Sequence, residues 1–154
     1  MSDVIPSAIE EELAKTGKLI YSNHGGSMLP LIKEGRDLVV IVTPPSGRLK
    51  KYDVPLYKRG DSRKYVLHRI IRVIDDGYVI RGDNCYFKEL DVKDDDIIGV
   101  LSCVIRKGGR EVSVDSFGYK LYSRVWCLIY PLRFCYAKVR AFGGRVMRKI
   151  GLKK

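Results

Sequence analysis

The stretch Gly25-Gly26-Ser27-Met28-Leu29-Pro30 is followed by residues 31–37 and then by the unbroken apolar run Leu38–Val42. Glycine tolerates backbone conformations that other residues avoid, so the glycine pair predicts a sharp turn that leaves Ser27 uncovered. The apolar run predicts a strand buried on both faces, which would hold this turn on rigid backbone. Ser27 is therefore our candidate nucleophile, although a glycine-rich turn with an incidental serine explains the six residues equally well.

A serine hydroxyl attacks an amide only with the help of a base, and the chain has two histidines, His24 and His68. His24 shares the loop of Ser27, from which a base reaches the hydroxyl with difficulty, and we interpret it as a loop residue. His68 lies in residues 65–74, whose alternation predicts one strand with His68 and Arg69 on opposite faces. A lone histidine on a strand is more often structural than catalytic. The order of motifs around His68 in the chain is therefore needed to choose between these two roles.

Composition places the chain among folded globular proteins, because 154 residues with 45% apolar and 31% charged side chains suit one domain. The net charge is +11, and ten lysines and arginines without any acidic residue lie after residue 115, which leaves +1 for residues 1–115. The basicity is thus a property of the C-terminal region. This distribution makes nucleic acid an improbable partner of the body.

Neither a metal site nor a cofactor site is predicted, because the cysteines form no Cys-x-x-Cys pair and no cluster with the histidines. We expect free thiols at Cys85, Cys103, Cys127 and Cys135. The N-terminus is acidic and amphipathic, which predicts a short helix over residues 6–16 and lacks the pattern of a secretory signal. The expected location is cytoplasmic, not secreted.

Short apolar or alternating segments predict a mainly β body. The predicted strands are residues 18–21, 38–42, 51–57, 65–74, 97–104 and 112–114. Pro55 would confine its strand to a sheet edge or a bulge.

The order of these segments resembles that of the signal peptidase I and LexA-type family of serine peptidases. Ser27-Met28-Leu29-Pro30 is similar to the Ser-Met-x-Pro box of that family, His68-Arg69-Ile70 to its base-bearing strand, and Gly82-Asp83-Asn84 to its Gly-Asp-Asn box. The resemblance covers residues 20–103. It implies an α+β, mainly antiparallel β fold, with a peptidase domain over residues 1–115 that includes the N-terminal helix.

The resemblance also implies the catalytic roles. Ser27 would attack the scissile carbonyl, and His68 would take the proton and return it to the leaving amine, as in relatives that carry histidine in place of the more common lysine. Asp83 is the first choice for orienting His68. Glu89 and Asp91 are second choices, because the acidic pair of the histidine-type relatives is altered here.

The oxyanion hole departs from the family pattern, since Gly25 stands where signal peptidases have a serine two residues before the nucleophile. The backbone amides of Ser27 and Gly26 would then supply the stabilisation. By resemblance, the substrate is an extended peptide with small residues beside the cleavage site, such as the leader of a peptide or a preprotein.

Residues 119–154 are aromatic and apolar with interleaved cations, and no stretch reaches the ~20 apolar residues that span a bilayer. They predict a basic amphipathic helix pair, which would lie peripherally on an anionic membrane surface or pack on its own domain or a partner. A rival hypothesis is a catalytically silent binding module that docks to lipid or nucleic acid through residues 116–154. Truncation after residue 115 separates the two, because the peptidase hypothesis expects the remainder to keep its site.

Overall fold

The computed structural model describes residues 6–59 and 64–149, with side chains described for residues 8–59 and 64–140. An α-helix, nine strands and two further α-helices follow one another within these ranges, with a 3₁₀ turn at Asp94–Asp96 between the seventh and eighth strands. They are α1 (Pro6–Thr16), β1 (Lys18–Ser22), β2 (Leu38–Val42), β3 (Pro55–Lys58), β4 (Tyr65–Leu67), β5 (Arg69–Ile74), β6 (Gly77–Arg81), β7 (Glu89–Val92), β8 (Ile97–Ile105), β9 (Glu111–Ser113), α2 (Phe117–Leu128) and α3 (Tyr130–Lys149).

The strands form two antiparallel sheets. The first has the order β1-β2-β8-β3-β4, with β9 paired to β8, and the second has the order β5-β6-β7. The predicted α+β, mainly β fold class is therefore confirmed. The N-terminal helix also occurs where it was predicted, and its Leu13 packs in the core of the first sheet.

The core of the first sheet centres on β2 and β8. Val39 and Ile41 are fully buried and Val40 nearly so, which confirms burial on both faces for the middle of β2. Leu38, at the start of the strand, is 43% exposed. The apolar run therefore forms an interior strand between β1 and β8, and the loop that carries Ser27 leads into it.

The alternation predicted one strand over residues 65–74, and this prediction is wrong. β4 pairs with β3 in the first sheet, whereas β5 pairs with β6 in the second, and His68 is the single residue between them. Alternation within a segment cannot reveal this change of sheet, because both halves keep a strand-like sequence.

β3 is not an edge strand, since it lies between β8 and β4. Pro55 occupies its first position, where a missing N–H group is tolerated. The predicted irregularity is present, because the pairing of β3 with β8 shifts between Leu56 and Tyr57.

The two C-terminal helices are present as predicted, and Ser116 caps the first by accepting a hydrogen bond from the Tyr119 amide. Tyr119 is 6% exposed and joins the core of the first sheet. The predicted C-terminal region, residues 116–154, therefore contributes its first helix to the core of the β body. Residues 150–154 of that region lie outside the described residues, and no helix in the described part is both long and apolar enough to cross a membrane.

Candidate active site

Ser27 lies in the loop between β1 and β2, on a turn closed by a hydrogen bond from the Leu29 amide to the Gly26 carbonyl (3.2 Å). Gly25 adopts a φ of 87°, a value that favours glycine and starts the turn. The side chain of Met28 is fully buried beneath the turn. Ser27 itself is half-buried, so its hydroxyl is held close to solvent by a rigid support.

A second loop, residues 82–88, closes over the Ser27 turn. The Asn84 amide donates to the Ser27 carbonyl (2.8 Å), and Nδ2 of Asn84 donates to the Gly26 carbonyl (3.1 Å). Gly82 fills the contact between the loops: a methyl group there would lie 2.7 Å from the Ser27 carbonyl oxygen and 2.9 Å from Nε2 of His68. The backbone of Ser27 and Nε2 of His68 thus approach the same point.

His68 is 4% exposed and has its other ring nitrogen against a carboxylate. Oε1 of Glu89 lies 3.1 Å from Nδ1, and the hydroxyl of Tyr57 lies 3.3 Å from the same atom. An ionised carboxylate only accepts hydrogen bonds, so Nδ1 carries the proton and Nε2 keeps its lone pair on the Ser27 side. This is the tautomer that a general base needs.

Burial lowers the pKa of His68 below its ordinary value, and the charge and hydrogen bond of Glu89 oppose that shift. The imidazole is therefore neutral at pH 7 and able to accept a proton. Burial and the neighbouring Glu89 also raise the pKa of the Tyr57 phenol, which stays protonated and donates to Glu89, because the protonated Nδ1 cannot accept.

Asp83, the first choice for orienting His68, makes no hydrogen bond to it among the described residues. Both carboxylate oxygens bind Arg69, at 2.8 Å from Nε and 2.8 Å from the second terminal nitrogen. A fully buried guanidinium must be paired, and Arg69 is 0% exposed, so it needs the buried Asp83 carboxylate as its partner. Glu89, named as a second choice, is the carboxylate on His68.

The remaining candidates lie elsewhere. Asp91 was the other second choice for the acid that orients His68. It is exposed in a shallow acidic depression that also contains Asp75 and Asp94. The interpretation of His24 as a loop residue is confirmed. Its side chain is 85% exposed, and Nδ1 lies 3.2 Å from Oε1 of Glu34. Among the described residues, no group of three or more potential ligands is placed to bind a metal ion.

The side chain of Cys85 lies beside the site, a position that sequence reasoning missed. Its Sγ lies 2.8 Å from the methyl position of Gly82, the point that Nε2 of His68 also approaches. Burial, followed by the charge of Glu89, raises the pKa of this thiol, whereas an activated cysteine has a lowered pKa. The sequence offered one signal for this position, because Cys85 follows Gly82 by three residues. Spacing alone does not show which way a loop side chain points.

The backbone amides of Gly26 and Ser27 donate to no acceptor among the described residues, whereas both carbonyls accept from Asn84. Free amides beside a nucleophile are the usual components of an oxyanion hole. The structure shows no hydrogen bond between the Ser27 hydroxyl and His68, both of which lie in its described part. Such bonds are often long before substrate binds.

The C-terminal helices hold the loop that carries Gly82. Nε1 of Trp126 and a terminal nitrogen of Arg133 both donate to the Asp83 carbonyl, at 2.9 and 3.1 Å, and the Tyr122 hydroxyl donates to the Asp83 carboxylate at 3.0 Å. These contacts run against the expectation that residues 1–115 would keep the site geometry without the helices.

Comparison of the chain with protein-family models, with curated proteins and with solved structures finds no match. The resemblance to signal peptidases therefore stays a prediction that rests on the motifs and their order.

Proposed function

We propose that the protein is a serine endopeptidase of the signal-peptidase-like kind, with Ser27 as nucleophile, His68 as general acid and base, and Glu89 as the residue that orients His68. One observation carries the proposal: His68 has Nδ1 on Glu89 at 3.1 Å and turns Nε2 toward the Ser27 turn across Gly82. A buried, neutral imidazole between a carboxylate and a serine turn is the arrangement that activates a hydroxyl.

In this mechanism, Oγ of Ser27 attacks the scissile carbonyl while its proton moves to Nε2 of His68. Glu89 stabilises the imidazolium that forms, without taking a proton itself. His68 then protonates the leaving amine, which breaks the peptide bond and leaves an acyl-enzyme on Ser27. Water, deprotonated by His68, releases the second product.

The oxyanion of the tetrahedral intermediate would be held by the amides of Ser27 and Gly26, which have no other acceptor among the described residues. Loss of one side-chain donor costs roughly 3 kcal/mol in a comparable protease. Because Gly25 offers no such donor, we expect slow turnover unless the substrate is well positioned by the rest of the site.

The substrate class follows from the resemblance alone: an extended peptide with small residues beside the cleaved bond, as in a leader or signal sequence. A peptide library with alanine or glycine on both sides of the scissile bond is the appropriate starting set.

The test is covalent labelling by a peptidyl phosphonate, located by mass spectrometry. We expect the wild-type chain to be labelled at Ser27, and labelling to disappear in Ser27→Ala and His68→Ala. His24→Ala and Cys85→Ala are the matched controls and should still be labelled, since neither residue has a role in the mechanism. Labelling of Cys85 would overturn Ser27 as the nucleophile. No labelling of a chain shown to be folded would overturn the proposal and favour the binding module.

A further inference from the structure

An apolar stripe on the C-terminal helices faces away from the body. Its members, called the outer helix face below, are exposed to between 44% and 81%. They are Phe117, Leu121, Val125, Leu128, Leu132, Tyr136 and Val139.

The stripe is continuous across the two helices. The Ile129 amide donates to the Val125 carbonyl (3.0 Å) and the Arg133 amide to the Ile129 carbonyl (3.1 Å), so helical hydrogen bonding crosses the junction. At 3.6 residues per turn, the four members in α2 fall within an arc of about 80° and the three in α3 within an arc of about 60°. Each arc fits within the apolar stripe of an ordinary amphipathic helix, which is about 100° wide.

The opposite side of the same helices is already satisfied. Tyr119 and Ser123 are buried, the Trp126 and Arg133 side chains bind the Asp83 carbonyl, and Phe134 stacks on Tyr130. The outer helix face is therefore not a core-facing surface that failed to dock. It is a second apolar surface, turned outward by helices whose first surface is in use.

Cations border the outer helix face on both sides. By the same helical geometry, Arg124 lies along one border and Arg140 along the other. Lys138 lies beyond the first border, with Nζ 4.5 Å from the centroid of the Phe134 ring. All three are exposed, and none of them forms an ion pair with another described residue. No acidic residue occurs after residue 115 to neutralise them.

We propose that the outer helix face docks in the headgroup layer of an anionic lipid bilayer, with the helices parallel to the surface. An apolar stripe bordered by lysine and arginine is complementary to both parts of that layer, since the stripe meets the acyl boundary and the cations meet the lipid phosphates. A nucleic acid would use the cations but leave seven apolar side chains in water. This proposal does not depend on peptidase activity.

The test is co-sedimentation of the full chain with vesicles of phosphatidylcholine alone and of phosphatidylcholine mixed with phosphatidylglycerol. We expect binding to the mixed vesicles that weakens as salt is raised. Arg124→Gln with Arg140→Gln should weaken that binding about 30-fold. Leu132→Ser with Val139→Ser should weaken it about tenfold or more, because two side chains no longer enter the apolar layer.

The matched control is Lys107→Gln with Arg110→Gln, which removes the same charge from the exposed turn between β8 and β9 and should bind nearly as well as the wild type. Equal binding to both vesicle types would overturn the proposal, as would an apolar double variant that binds like the wild type. A lipid-free dimer that dissociates in Leu132→Ser with Val139→Ser would also overturn it, because a second copy would then cover the face.

Discussion

Glu89, the first residue of β7 in the second sheet, accepts a hydrogen bond from Nδ1 of His68 at 3.1 Å. The other oxygen of Glu89 lies 3.3 Å from Nε of Arg59, and the side chain is 12% exposed. The carboxylate is thus fixed at both oxygens, and it fixes the imidazole in turn.

Replacing Glu89 by Gln should therefore reduce kcat/KM by about 10²- to 10⁴-fold while the chain stays folded. The amide no longer enforces the tautomer or stabilises the imidazolium, and a comparable change in a Ser-His-Asp protease costs about 10⁴-fold. Cleavage of a fluorogenic peptide measures the effect. Asp91→Asn, two residues along the same strand and exposed, is the control and should leave kcat/KM within about twofold; equal losses in both variants would assign Glu89 no special role.

The pH dependence of kcat/KM should show an acid limb below the ordinary histidine pKa of about 6.5. Burial lowers the pKa of His68, so the neutral base persists to lower pH, and activity is lost only as the pH falls through that lowered pKa. Because Glu89 works against the shift, Glu89→Gln should move the limb to still lower pH even as it lowers the plateau. A limb that moves upward in this variant would contradict the contact.

Gly82→Ala should abolish cleavage and lower the free energy of unfolding by about 1–3 kcal/mol. Its methyl group would lie 2.7 Å from the Ser27 carbonyl oxygen, 2.8 Å from Sγ of Cys85 and 2.9 Å from Nε2 of His68, distances that force the two loops apart. Urea unfolding and the peptide assay together measure both effects. Gly118→Ala serves as the control, since its methyl position in α2 meets no other part of the fold within 4 Å. An active Gly82→Ala variant would show that the loops are not in contact.

Asp83→Asn should lower the free energy of unfolding by about 3 kcal/mol or more, because it leaves the Arg69 guanidinium buried without a counter-charge. The side chains of Arg69 and Asp83 are 0% and 2% exposed. The control is Asp115→Asn, whose partner Lys120 lies on the surface and whose loss should cost under about 1 kcal/mol. Equal unfolding midpoints for the two variants in urea would refute a structural role for Asp83.

Much of the fold was predictable, because strand period and turn residues are local signals. The buried centre of β2, the glycine turn at Ser27 and the pair of basic helices all follow from short stretches of sequence. The pairing of strands is not local, and for that reason the passage of the chain from one sheet to the other at His68 was not visible.

The choice among acids failed for a related reason. Three carboxylates follow His68 at suitable distances in the chain, and only the pairing of β6 with β7, in register at Ile80 and Glu89, decides which one reaches the imidazole. The structure also shows why Asp83 is not that acid: Arg69, next to His68 in the chain, is buried and takes both oxygens of Asp83.

The position of His68 as the single residue between β4 and β5 limits how chains of this kind can vary in length. An added residue there would lengthen the step between the sheets and turn the ring away from both Glu89 and Gly82, since each residue along a strand reverses the direction of its side chain. The exposed turn at residues 107–110 has no such constraint. Insertions and deletions should therefore be accepted at that turn and rejected between Leu67 and Arg69.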